Sequence, residues 1–386
     1  MALEVIVSRA ALLAELALAS EVAETKTTIP ILANVRISGD APMTPLSMAA
    51  TNLSESLATS CAARIASPGA VALHARRFYE YVRTLPDGDI TVTQLESNWV
   101  QLRCGRSRTK MTGLGVESFP AVPAMPQATL PIPSGTLQRM VKRTMYATSD
   151  AESRMAIHCA QFEIRPGSLR MVGTDGSRLA LIEKQEQTGV EARLGSAEQR
   201  ELIPRSGLQA ILGLVASSQS ENVDFASDDQ HLFFRVGGRT LAVRKMTVVF
   251  PNYEAILRPS AAGDGRIFIP RRDLLSTVQR VAQFADGRSQ AVKFRLQNNE
   301  LVVSSSSTES GESEEPLTVA YAGTPLVTGF NADYIADFLK AAEPAAEVGF
   351  WMKDGQSAAE FQPAAADQGS DWIYRYVVMP VRVQNG

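Results

Sequence analysis

The sequence predicts an α+β protein of three repeated units, each with two helices packed on antiparallel sheets. Three observations predict it. A chain of 386 residues is longer than one ordinary core fills and fits two or three domains. A strand-like apolar stretch leads into helical periodicity three times, at Val5-Ile6-Val7-Ser8, at Leu130-Pro131-Ile132-Pro133 and at Ile267-Phe268-Ile269-Pro270. Each unit also closes on an apolar-Pro step, at Phe119-Pro120, Phe250-Pro251 and Met379-Pro380.

Within each unit the elements follow one order. Ser8, Pro133 and Pro270 suit the cap or first turn of the first helix. A second helix start follows at a similar distance, near His74, near Pro204 and near Phe330. Alternating stretches between the helices read as strands, and Asp175-Gly176 between Leu169–Val172 and Leu179–Ile182 is a two-residue hairpin cue. Asp175 alone would pass for a catalytic acid, but beside Gly176 a turn explains it better. The run Ser304–Ser307 and the acidic Glu309–Glu315 fall where that hairpin falls in the middle unit and read as a solvated hairpin tip. The Pro-rich stretch from Pro120 to Pro133 and the small residues from Pro259 to Gly265 serve as linkers, giving domains 1–125, 126–262 and 263–386.

Composition narrows the function. Hydrophobic residues at 45% and charged residues at 20% are the balance of a globular chain. No basic segment precedes a long apolar stretch, so neither a signal peptide nor a transmembrane span is supported, and a cytoplasmic location is expected. Cys61, Cys104 and Cys159 are far apart and odd in number, which predicts reduced, buried thiols rather than a disulfide framework or a zinc site. His74, His158 and His231 have no ligand spacing, and no nucleophile elbow, phosphate loop or dinucleotide fingerprint occurs. An enzyme is therefore the weaker class, and no cofactor or metal is expected. A net charge of −3 does not advertise nucleic-acid binding, so such a function must rest on where the charges sit.

They sit on helices. After Pro133, Leu137, Met140, Val141 and Met145 share one face and leave Arg139, Lys142 and Arg143 on or near the other. After Pro270, Leu274, Val278, Val281, Ala282 and Ala285 point inward and Arg272, Gln279 and Arg280 outward; the helix after His74 carries Arg76, Arg77 and Arg83. Any one of these is equally an ordinary solvated face. Three together suit contact with phosphates, which gives affinity without reading sequence.

The segments Thr28–Asn34, Thr174–Ala180, Phe250–Tyr253, Gly329–Tyr334 and Tyr376–Arg382 resemble, in register over nearly the entire chain, the bacterial sliding clamp, the beta subunit of DNA polymerase III. The resemblance implies three clamp domains per chain and a head-to-tail homodimer that closes a ring around duplex DNA. It implies DNA-facing residues Lys26, Arg76, Arg77, Arg83, Arg139, Lys142, Arg143, Arg205, Arg272 and Arg280. It also implies a cleft between the second and third domains for short peptides of the polymerase III alpha subunit, the clamp loader, other polymerases and repair proteins. The matching positions are Ile157, Thr174, Gly176, Ser177, Arg178, Leu179, Pro251, Ile256, Val377, Met379, Pro380, Val381 and Arg382, with Arg178 and Arg382 at the rim. Without the resemblance most of these residues read as interdomain core.

For the ring joint the matching positions are Arg106, Arg108, Lys110, Met111 and Phe284, on an edge strand of the first domain and on the third. Arg108 and Lys110 equally read as charges that block wrong pairing. The family often has His where Ser177 stands and an aromatic pair where Met155 and Ala156 stand. Those departures leave open an additional clamp copy with altered partner choice.

Overall fold

The computed structural model describes residues 2–185, 198–257, 266–364 and 371–382. Among these residues the helices are α1 (Arg9–Val22), α2 (Ala75–Thr84), α3 (Ser134–Thr144), α4 (Arg205–Ala216), α5 (Arg271–Val281) and α6 (Ala332–Ala341). Their starts follow local chemistry. Ser8 Oγ accepts from Ala11 N at 3.3 Å, His74 Nδ1 from Arg77 N at 3.5 Å and Asn331 Oδ1 from Tyr334 N at 3.1 Å, each satisfying an orphan donor of the first turn. Pro270 ahead of α5 makes no side-chain cap, and Asp273 in the first turn complements the helix dipole instead.

The predicted alternation of strands with two helices recurs three times, and among the described residues each repeat runs a strand, a helix, four strands, a helix, three strands. In the first repeat the third of the four strands is broken at Ala62 into Glu55–Cys61 and Ala63–Ser67. One expectation fails. Ser304–Ser307 and the acidic residues after it are not a hairpin tip but two paired strands, Glu300–Ser307 and Gly311–Thr318, with Ser304 opposite Glu314 and Ser307 opposite Gly311. Only residues 308–310 turn. Gly311–Thr318 is a sheet edge with Glu312 and Glu314 exposed, and an exposed edge strand needs no apolar run to hold it, which is why its composition imitates a loop.

The chain packs as two compact units, Met1–Gln138 with Ser206–Met246, and Arg139–Arg205 with Thr247–Gly386, so the middle repeat divides between them. In the first unit thirteen strands form one sheet, and Arg239–Arg244 of the middle repeat pairs antiparallel with Glu55–Cys61 of the first. Helix α1 buries Leu12 and Leu16, and α2 buries Phe78 and Val82. Glu15 of α1 is buried too, and its carboxylate accepts from Thr59 Oγ1 and from both Nε and Nη2 of Arg239. A buried charge paired this fully is tolerated where a lone one would not be.

In the second unit an eight-stranded sheet joins the middle and last repeats through Arg178–Gln185 and Trp372–Val378, with Arg178 opposite Val378 and Leu179 opposite Val377. A four-stranded sheet completes the unit. Its core is aromatic: Phe350 stacks on Phe361 at 4.6 Å and Phe338 on Tyr376 at 5.0 Å, all fully buried. Each such ring contributes roughly 1.5–3 kcal/mol through burial.

Both internal junctions obey one rule: the third of the four strands in one repeat pairs with the last strand of the next repeat. Two strands of those classes are left over. Gly311–Thr318, third in the last repeat, pairs on one side only. Ser107–Leu114, last in the first repeat, pairs along its length with Trp99–Cys104, but on its other side only Gly113 and Leu114 are bonded.

Candidate functional site

Strand pairing brings together sequence segments that are far apart. The turn after Thr174 is fixed by its own side chains: Gly176 N donates to Thr174 Oγ1 at 3.1 Å, and Ser177 N and Arg178 N donate to Asp175 Oδ1 at 2.8 and 3.0 Å. Gly176 has φ +89°, a conformation that favours glycine. Met379 runs beside this turn, its N donating to Ser177 O at 2.8 Å, and Val381 N donates to Gly329 O at 2.9 Å.

The expected cleft residues divide into a floor and a rim. Ile157, Thr174, Leu179 and Val377 are buried, Pro380 and Val381 half-buried, and Gly176, Ser177, Pro251, Ile256, Met379 and Arg382 exposed. Ile256 at 50% and Met379 at 47% exposure are large apolar side chains in water, of the kind that marks an interaction surface when grouped. At Ser177 the main chain does the holding and the side chain is exposed, so a hydroxyl in place of imidazole leaves the turn intact.

Arg178 departs from the expectation of a rim contact. Its side chain is 9% exposed and its donors are already engaged: Nε with Asp175 Oδ2 at 2.9 Å, Nη1 with Asp337 Oδ2 at 2.8 Å and Nη2 with Tyr146 O at 2.6 Å. The guanidinium also lies 4.1 Å from the centre of the Tyr334 ring. Such a planar fork fastens the turn to α6 and to the residues after α3. Asp337 lies 159 residues away in sequence, and neither it nor Tyr146 is marked by any motif.

The basic helix faces divide as well. Arg76, Arg77, Arg83, Lys142, Arg272 and Arg280 are exposed, as is Lys26 just after α1. Arg83 pairs with Glu80 and Arg280 with Glu315, each at 2.5 Å, so part of their charge is already met. Arg143 is not on the surface. It is 4% exposed, lies 4.8 Å from the Tyr374 ring centre and donates to Glu343 O at 3.2 Å. Burial, then neighbouring Arg139, lowers its pKa to about 10.

Arg139, one helical turn before Arg143, is half-buried with its guanidinium 4.4 Å from the Trp372 ring centre. The cause is a match of periods: residues four apart on α3 meet Trp372 and Tyr374, two apart on a strand. Arg205 is likewise occupied, donating to Met145 O at 2.6 Å and Thr148 Oγ1 at 2.7 Å and pairing with Asp150 at 2.8 Å.

At the unsatisfied strand edges Arg106, Arg108 and Lys110 are exposed and Met111 is half-buried. On the other edge, a Cβ placed on Gly311 would lie 4.0 Å from the Phe284 ring. The sequence reading missed Glu312, Glu314 and Glu315 on that edge; their opposite sign to Arg108 and Lys110 was the available signal. The three cysteines are free and buried. Among the described residues no helix is long and apolar enough to cross a membrane.

Comparison with known proteins agrees with this arrangement. Residues 3–123, 131–252 and 262–382 match the sequence models of the N-terminal, central and C-terminal domains of the DNA polymerase III beta subunit. The Beta sliding clamp of Pseudomonas aeruginosa is 28% identical over 380 residues, covering 98% of this chain and 99% of that one. The Beta sliding clamp of Caulobacter vibrioides is 30% identical over 387 residues, with the same coverage. A crystal structure of the Pseudomonas aeruginosa DnaN sliding clamp bound to griselimycin superposes with a TM-score of 0.88 at 28% identity, covering 99% of this chain and 100% of that one. With all three domains matched in order, the chain belongs to the DNA polymerase III beta subunit family, the bacterial sliding clamps.

Proposed function

We propose that two copies of this chain close head to tail into a ring around duplex DNA, and that the ring tethers polymerases and other replication and repair proteins through the cleft. One observation carries the ring. Two internal junctions join a third strand to a last strand, and the two strands left without such a partner are opposite in charge. A second copy would satisfy both edges, Ser107–Leu114 with its Arg108 and Lys110 meeting Gly311–Thr318 with its Glu312, Glu314 and Glu315. Such pairing is isologous overall only if it occurs twice, which closes a dimer and gives both leftover strands a partner.

The domain limits at residues 125 and 262 belong to this reading, with three domains from each chain. Lys26, Arg76, Arg77, Arg83, Lys142, Arg272 and Arg280 would meet phosphates, and a closed ring needs no tight grip, which is compatible with a net charge of −3. Partners dock on the floor of Ile157, Thr174, Leu179 and Val377 between Ile256 and Met379, where an adaptable Met suits several ligands. The same cleft would take griselimycin, the compound bound by the Pseudomonas aeruginosa clamp. The protein acts by tethering rather than by turnover, and it works in the cytoplasm.

Primer extension under single-encounter conditions tests the reading. With the clamp loader and the host polymerase, adding this chain should lengthen products well beyond those of polymerase alone; unchanged lengths would remove the processivity role.

A further inference from the structure

Pro251 and Ile256, two rim residues of the cleft, belong to a segment in which residues 245–253 form neither strand nor helix. Strand pairing therefore does not set their position, and the backbone bond of Ile256, its N donating at 3.0 Å, runs to Tyr253 O in a short 3-10 turn at Glu254–Ile256. Val249, Pro251, Asn252 and Ile256 are exposed, whereas Tyr253 between them is 3% exposed. Its hydroxyl donates to Glu163 Oε1 at 2.6 Å and accepts from Arg170 Nη1 at 3.0 Å.

These two groups are themselves held. Glu163 is fully buried, with Gln161 Nε2 donating to Oε1 at 2.6 Å and Arg165 Nη2 2.6 Å from Oε2. Arg170 donates to Glu183 Oε2 through Nε at 2.8 Å and Nη2 at 2.6 Å. The following residue, Glu254, accepts from Arg165 Nη2 at 3.3 Å.

Register ties this cluster to the cleft. Arg170 pairs with Glu183, Val172 with Leu181 and Thr174 with Leu179. Alternate residues share a face, so the cluster lies on the same side of the sheet as the floor residues Thr174 and Leu179, about 13 Å along the strand at roughly 3.3 Å per residue. Burial and the bond to Glu163 raise the Tyr253 phenol to about 12, so it keeps its proton at neutral pH.

We infer that Glu163 and Arg170 are positioning residues for the cleft: through the Tyr253 hydroxyl they set where Pro251 and Ile256 stand, and so how readily the cleft accepts an apolar ligand. The inference rests on the cleft reading above. A segment that occupies its binding position only part of the time lowers the apparent affinity by that fraction, through association. Loss of a direct contact shows instead in dissociation.

The test measures association and dissociation of griselimycin by surface plasmon resonance on the intact protein. Tyr253→Phe keeps the ring and removes the hydroxyl; Glu163→Gln removes the acceptor charge. Both should slow association on the order of tenfold, the scale of one hydrogen bond to a charged group, with dissociation within a factor of about two. Ile256→Ala and Met379→Ala should speed dissociation. If those two change binding while Tyr253→Phe associates as fast as the original, or only dissociates faster, the positioning inference is wrong and the cleft stands. If griselimycin does not bind, or ignores Ile256→Ala and Met379→Ala, the cleft reading fails and the inference with it.

Discussion

Replacing Arg178 with Ala separates two roles for the residue, a fastener of the fold or a ligand for partner peptides. The structure predicts the first. The change removes the cation beside Asp175, whose side chain is 12% exposed and keeps the backbone donors Ser177 N and Arg178 N, and it removes the donor to Tyr146 O; Asp337, at 35%, can be reached by water and counts for less. Removing one partner of a buried, hydrogen-bonded charge pair costs about 3–5 kcal/mol, and the lost stacking on Tyr334 lies within that range. For a unit of this size roughly 2–4 °C is lost per kcal/mol, so the unfolding midpoint should fall by on the order of 10 °C. Differential scanning calorimetry reads it directly. Arg178→Lys should recover only part of the loss, because an ammonium cannot reach both carboxylates and the carbonyl in one plane. In a double-mutant cycle Asp337→Ala should add little to Arg178→Ala. A midpoint within about 2 °C of the original, with peptide binding abolished, would refute this and restore the rim-ligand role.

Three further outcomes follow. Lys142→Ala should weaken DNA binding and flatten the plot of log affinity against log salt by about 0.9, the value of one phosphate contact, whereas Arg143→Met should leave that slope unchanged and lower thermal stability. Charge reversal at Arg108 and Lys110 to Glu should weaken the dimer on the order of ten- to a hundredfold in sedimentation equilibrium, and Glu314→Lys with Glu315→Lys should restore part of it; reversals with no effect would place the joint elsewhere. Burial raises the Cys159 thiol from 9.0 to about 12 and, with help from Glu15, the Cys61 thiol to about 11. Above pH 9 the unfolded chain therefore loses thiol protons that the folded chain keeps, so stability should fall from pH 9 upward. Cys159→Ala should shallow that fall in urea titrations, and an unchanged slope would contradict it.

Local chemistry made much of the fold legible. Ser8 and the Asp175-Gly176 turn act over a few residues, so the sequence shows them directly. The threefold order was equally visible, because each repeat restates it. Long-range partners were not. Arg143 and Arg178 look like surface cations on a helix face and in a turn, and only the aromatic strand Trp372–Val378 and the distant Asp337 turn them inward. The acidic strand Gly311–Thr318 was hidden for the opposite reason: an edge has one neighbour, so its residues need not look like a strand. Family resemblance supplied the cleft positions; the structure divides them by exposure and adds Tyr253, which the sequence marked only as the last residue of the resembling segment Phe250–Tyr253.

Encirclement is a topological property, so retention on DNA before and after cutting reads it directly. Labelled protein is loaded onto a nicked plasmid by the clamp loader, separated from free protein by gel filtration, and the circle is then cut once. Retention on the closed circle with release after cutting is the predicted result. Equal retention on circular and linear DNA would contradict the ring and leave ordinary surface binding in its place.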